Sequence, residues 1–242
     1  MPPSLPPLRA AGDRADIAIS DAVAIWLGAW LVGTLLAGAI GGASGADDLA
    51  SAGPGWLAGA QLAAWTPMVL GIWYIGRKAG SGLLSRDFGM SFSPVDLVGI
   101  PLGVLTQLVM VPLAYWPLKS IWHGTFTSEQ LEERARTLYQ SASGGGVVVL
   151  ILVVVVGAPL VEELAYRGLL QGAFTRRLND LLGVLIVAVW FAAIHFEPRE
   201  LPGLFVVGIV LGLCAQRTGR LGMGVVAHMA FNATGLAVVA MV

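Results

Sequence analysis

An all-α, polytopic membrane protein, with about seven transmembrane helices plus one amphipathic surface helix, is the fold class that three features of the sequence predict. Hydrophobic residues make up 56% of the chain and charged residues only 12%, with a mean hydropathy of +0.78. Soluble domains carry about 25% charge. Apolar runs long enough to cross a bilayer recur along the chain, separated by polar turns. One stretch, Thr127 to Ser141, breaks that pattern by alternating charged and apolar residues at helical spacing.

Taken in order, residues 1–16 are Pro-rich and polar and read as a disordered N-terminal tail. The run 17–40 is too long for the apolar core of a signal peptide and no clear cleavage site follows, so it reads as the first span. A Gly/Ser/Asp loop leads to the second span, 56–76, with Trp56 and Trp73/Tyr74 near its two interfaces. The third, 95–118, carries Pro101, Pro112 and Pro117 and is expected to kink. In Thr127 to Ser141, Thr127 and Gln130 can form a capping box, while Leu131, Ala135 and Leu138 share one face opposite Glu132, Glu133, Arg134 and Arg136. Spans four to seven follow at 147–174, 181–195, 201–215 and 221–242. There is no internal repeat, so residues 17–242 read as a single transmembrane domain.

A net charge of −1 offers no general attraction for nucleic acid. The one cysteine, Cys214, excludes an intrachain disulfide and a Cys-rich metal site, and in an apolar helix it reads as a small hydrophobe. Orientation follows from Lys and Arg. With the N-terminus cytoplasmic, nine of the fourteen fall on the inner side, against Lys119, Arg134, Arg136 and Arg199 outside, and Arg167 within a span. The chain is therefore expected to be a multi-pass protein of the cell membrane with a cytoplasmic N-terminus.

Chemistry concentrates in spans four, five and seven. Glu162, Glu163 and Arg167 sit inside a run that is otherwise almost all Val, Leu, Ile and Gly, where each charge costs a few kcal/mol or more. Glu163 and Arg167, four apart, can neutralise each other on one helical face, whereas Glu162 points about 100° away and has no partner on its own helix. The bland reading is a buried pair that only pins helix packing. Two of the three histidines also lie in spans: His195, four residues after Phe191, and His228, four before Asn232. The third, His123, falls in a polar loop and reads as solvated or interfacial. From the turn near Asn179, Glu162 and His195 each lie about 25 Å deep, but His228 only about 12 Å, an offset that tilt, side-chain reach or a late helix start must absorb.

Glu162-Glu163-x-x-x-Arg167, Phe191-x-x-x-His195 and His228-x-x-x-Asn232, in this order on successive spans, resemble the three motifs of the CAAX protease and bacteriocin-processing (CPBP, or Abi) family of intramembrane proteases, which includes the type II CAAX prenyl endopeptidases. The resemblance covers about residues 147–240, with no departure at the motif positions. It implies that Glu162 is the general base activating a water, with His195 holding that water or sharing its proton. His228 and Asn232 would donate to the oxyanion of the tetrahedral intermediate, and Glu163 and Arg167 would form a supporting pair. No Ser or Cys accompanies the set, so a covalent intermediate is not expected. The family has been described both as metalloproteases and as glutamate-dependent enzymes without metal. Glu162, His195 and His228 could supply a His2Glu zinc site, yet their spacing is not H-E-x-x-H and they come from three helices, so no cofactor is expected. The implied partners are a peptide or membrane-anchored protein substrate and the lipid bilayer. The resemblance favours a cavity open to the cytosol, whereas the depth count puts Glu162 and His195 nearer the outer face. Two rivals are a proton-coupled transporter, which would want matching charges in the first three spans, and a non-catalytic scaffold or chaperone, which would want a missing motif residue.

Overall fold

A computed structural model describes residues 14–47, 49, 51–122 and 124–241. His123 and residues 1–13 of the expected tail lie outside these. The described residues form helices and no strand: α1 (Ile19–Ser44), α2 (Pro54–Ala79), α3 (Pro94–Ile121), α4 (Ser128–Gln140), α5 (Gly145–Arg177), α6 (Asp180–Ala193), α7 (Leu201–Thr218) and α8 (Gly222–Ala240), with a one-turn helix at Leu84–Asp87. Five of them, α1, α3, α5, α7 and α8, are long and apolar enough to cross a membrane. The apolar α6 is shorter, at 14 residues. Large apolar side chains such as Leu35, Leu62, Leu113, Trp116 and Leu181 are exposed, as a lipid-facing surface requires.

Local signals explain several boundaries. Gly45 ends α1 and Gly219 ends α7 in the left-handed conformation that glycine adopts without strain. Proline occupies the first turn of α2, α3 and α7, where its missing N–H costs nothing. The expected capping box of α4 forms, with Thr127 accepting from the Gln130 N–H at 3.3 Å. Prolines do not interrupt α3 as separate helices. The ladder instead loosens to π-helical spacing over Thr106–Met110, just before Pro112.

The most enclosed element is α5. From Glu163 to Ala173 every residue is buried, which is why a charge there requires an opposite charge beside it. Around it, close approaches are made by small residues. Gly99 and Gly103 of α3 lie against the α8 backbone at Met223 and Ala227, so those two helices run parallel. Gly208 and Gly212 of α7 face Ala188 and Val184 of α6, an antiparallel pair. Gly33 of α1 meets Ala64 of α2.

The segment expected to end the disordered tail is tied down. Ala15 and Ile17 are buried, the Arg14 guanidinium donates to Gly219 O at 2.7 Å, and Arg177 reaches Ile17 O and Asp16. These are long-range contacts that no local pattern in residues 14–17 announces.

Candidate active site

Glu163 and Arg167 form the anticipated ion pair, at 2.8 Å with both side chains fully buried. Its surroundings come from other helices. Arg167 donates its second amino group to Gly208 O of α7 at 3.1 Å, and one turn on, Gln171 donates to Gly212 O at 2.9 Å. Residues 163, 167 and 171 thus make a polar stripe along α5 that lies on the glycine track of α7. A carbonyl next to glycine can be approached closely because no Cβ intervenes. The guanidinium also lies over the Phe191 ring, 4.7 Å from its centroid.

His228 joins the two carboxylates. Its Nδ1–H donates to Glu163 Oε1 at 3.2 Å, and its Nε2 stands 3.8 Å from Glu162 Oε2. The depth offset expected for His228 disappears because α8, although it begins at Gly222 as expected, begins deep in the bundle. Leu221 is fully buried against Gly168, and its N–H is bonded to Gly89 O of the segment that folds beneath it. Gly224 packs on Glu163 Oε2, where a Cβ would lie 2.8 Å away. The helix therefore begins near the level of Gly168, one and a half turns from Glu162.

Glu162 differs from its neighbour: its side chain is 28% exposed and lines a cavity of about 330 Å³. His195 lines the same cavity from the C-terminal end of α6. The His195 Nδ1 lies 2.7 Å from Phe191 O. A carbonyl only accepts, so Nδ1 carries the proton and the Nε2 lone pair is left available in the neutral ring. Directly after His195, Phe196 takes φ 54, a left-handed conformation costly for an aromatic residue, and its ring packs on Trp30. The turn is pinned from α3, where Tyr115 donates to Arg199 O at 2.8 Å. Aromatic rings connect this corner to the core: Trp26 to Tyr166, Tyr166 to Phe191, Phe191 to His195.

Asn232 is placed apart. Its amide donates to Val154 O of α5 at 2.8 Å, and it lines a neighbouring cavity of about 420 Å³ between α3, α4, α7 and α8. One N–H of the carboxamide is thereby engaged and the other remains. Arg134 of α4 stands in the walls of both cavities. The structure thus gathers Glu162, Glu163, Arg167, His195 and His228, while Asn232 borders the adjoining space. Glu162, His195 and His228 do not converge as a ligand set: among the described residues no group of three His, Cys, Asp or Glu side chains is arranged to hold a metal.

Residues that the sequence reading passed over are Gln171, Gly208, Gly212, Gly224 and Tyr166. The spacing of four from Glu163 through Arg167 to Gln171, and from Gly208 to Gly212, was available as a signal.

Residues 144–234 match the family described as "Type II CAAX prenyl endopeptidase Rce1-like". An Escherichia coli protein described as "Uncharacterized 24.3 kDa protein" is 34% identical over 84 residues, so the chain spans only 39% of the length of that curated relative, using 33% of its own. No solved structure matches. The matched segment contains α5 to the middle of α8 and with them every motif residue named above.

Proposed function

From a chain whose residues 144–234 carry the type II CAAX endopeptidase segment of the CAAX protease family, we propose a CPBP-type intramembrane endopeptidase that hydrolyses peptide bonds with a water activated by Glu162 and His195. The observation that carries this is the contrast between two adjacent carboxylates: Glu163 sealed in an ion pair, Glu162 opening on a cavity it shares with His195.

In this reading a water sits between Glu162 and His195 Nε2. Glu162 takes its proton as the oxygen attacks the carbonyl carbon, and the protonated group returns it to the departing amine. His195 is suited to hold the water because its Nδ1 is committed to Phe191 O. The developing oxyanion is met by His228, donating from Nε2 when that nitrogen carries a proton, and by the second N–H of Asn232. Glu163 and Arg167 hold His228 and stay out of the chemistry. No metal takes part, and no cofactor is needed. The substrate is a peptide or a membrane-anchored protein, and no nucleic acid is involved.

All seven apolar helices cross the bilayer in this proposal: α2 and α6 join the five long apolar ones, and α4 lies across the membrane surface with none of its residues buried. The N-terminus is cytoplasmic, since Arg14, Arg77, Lys78, Arg86, Arg176 and Arg177 flank one end of the bundle together with Arg217 and Arg220. Terminal proteomics on membranes with the wild-type chain and with Glu162→Ala tests the activity. New protein ends that require Glu162 are expected, and identical sets of ends would favour a scaffold instead.

A further inference from the structure

The two ends of the bundle differ in charge, and the cavity holding Glu162 belongs to one of them. At the cationic end, Arg14 reaches Gly219 O, Arg177 reaches Asp16, and Arg220 pairs with Asp96 at 2.7 Å. The α1 start, the α2 end and the α7–α8 turn all meet there. The opposite end carries the 45–53 turn, α4 and the 194–200 turn, with Asp47, Glu129, Glu132, Glu133, Glu197 and Glu200 against Lys119, Arg134, Arg136 and Arg199. Cytoplasmic loops are enriched in Lys and Arg, so in the proposed orientation the acidic end lies away from the cytoplasm.

The walls of the cavity come from that acidic end. On α1 they run from Trp26 and Trp30 near its middle to Thr34 and Ala37 toward its C-terminal end. On α2 they run from Met68 and Trp65 near its middle to Ala64 and Gln61 toward its N-terminus. His195 contributes from the end of α6, and Arg134 of α4 stands in the wall on the same side. No residue of the cationic turns lines it. Below Glu162 the way is closed: α5 is buried without interruption from Glu163 to Ala173, and Phe88 and Leu221 are buried beneath it.

We infer that the site is entered from the side of the membrane opposite the cytoplasm, so that its substrates are peptide segments or juxtamembrane stretches exposed on that side, and that a lipidated tail in the cytosol is not within reach. The inference rests on the proposed peptidase reading for the word substrate, but the direction of access does not. Glu132 and Arg136 pair with each other at 3.2 Å, while Arg134 makes no hydrogen bond or ion pair among the described residues and interacts through charge with Glu200 at the same end.

Cysteine accessibility tests this in the full chain, in intact cells, starting from Cys214→Ala, which removes the buried native thiol. Single variants Arg134→Cys at the mouth, Ala37→Cys in the cavity wall and Lys78→Cys at the cationic end are treated with a membrane-impermeant maleimide. Positions 134 and 37 are expected to label in intact cells to the extent seen after permeabilisation, and position 78 only after permeabilisation. The reverse pattern overturns the inference. So does labelling at 134 with none at 37, since the cavity would then not open at this mouth. Adding Glu162→Gln separates the two readings: access should be unchanged by it, so a failed peptidase assay leaves the labelling result standing.

Discussion

Adjacent in sequence, Glu162 and Glu163 meet different surroundings, and their substitutions are expected to fail differently. Glu163→Gln removes the charge that neutralises Arg167 in a fully buried pair, a change that costs about 3–5 kcal/mol in soluble proteins. It should lower the melting temperature in detergent as well as the activity. Glu162→Gln keeps the shape of a side chain that lines a cavity, so stability should stay at the wild-type value while turnover is lost. Thermal melts of both variants decide it, and equal melting temperatures would count against this division. Asn232 ties α8 to α5 and is the proposed second oxyanion donor. Replacing it with Ala removes the bond to Val154 O, worth about 0.6–2 kcal/mol between membrane helices, and, in the proposed mechanism, an oxyanion donor worth about 10²–10³ in kcat. We expect a small loss of stability, a large fall in kcat and a KM within a few-fold, read from peptide-cleavage kinetics. Near-normal turnover would leave Asn232 a helix tie only. Adding His228→Ala should lower turnover little further, because groups acting as a unit are not additive.

Helix contacts hold these groups in place, and glycine is what allows them to close. A Cβ on Gly208 would meet the Ala188 backbone at 2.9 Å and would push α7 away from α6, displacing the Gly208 carbonyl that Arg167 uses. Gly208→Val should therefore cost about 1–3 kcal/mol by overpacking and loosen the Arg167 contact, whereas Gly38→Val, where nothing lies within 4 Å, should be nearly silent. Melting curves followed by size-exclusion chromatography compare the two. Much of this scale was legible in the sequence, because apolar runs, Pro and Gly punctuation and the Thr127 capping box depend on local pattern. The Glu163–Arg167 pair was legible for the same reason, being one helical turn long. What the sequence hid was relational. The deep start of α8 depends on residues 87–96 folding beneath Leu221, and Asn232 turns to Val154 because α5 passes beside it. Neither neighbour is close in the chain, and a motif that puts His228 and Asn232 on one helix face does not say which helix each will meet.

At the level of the whole molecule, a bundle surrounds one charged helix and leaves a single carboxylate of it, Glu162, reachable from a cavity. Because Glu162, His195 and His228 do not assemble as a ligand set among the described residues, the purified protein is expected to retain its activity in phenanthroline and to hold zinc well below one per chain. Loss on chelation with recovery on adding zinc would contradict this. The charge difference between the two ends supports the proposed orientation, and with it the proposed side of access. The proposed chemistry rests on hydrolysis by a Glu162-activated water. The most direct measurement is cleavage of a peptide library by the purified full chain in detergent, wild type beside Glu162→Gln, with melting temperatures taken on the same samples. Cleavage products are expected from the wild type and none from a variant of unchanged stability; equal cleavage by a folded Glu162→Gln would contradict hydrolysis by a Glu162-activated water.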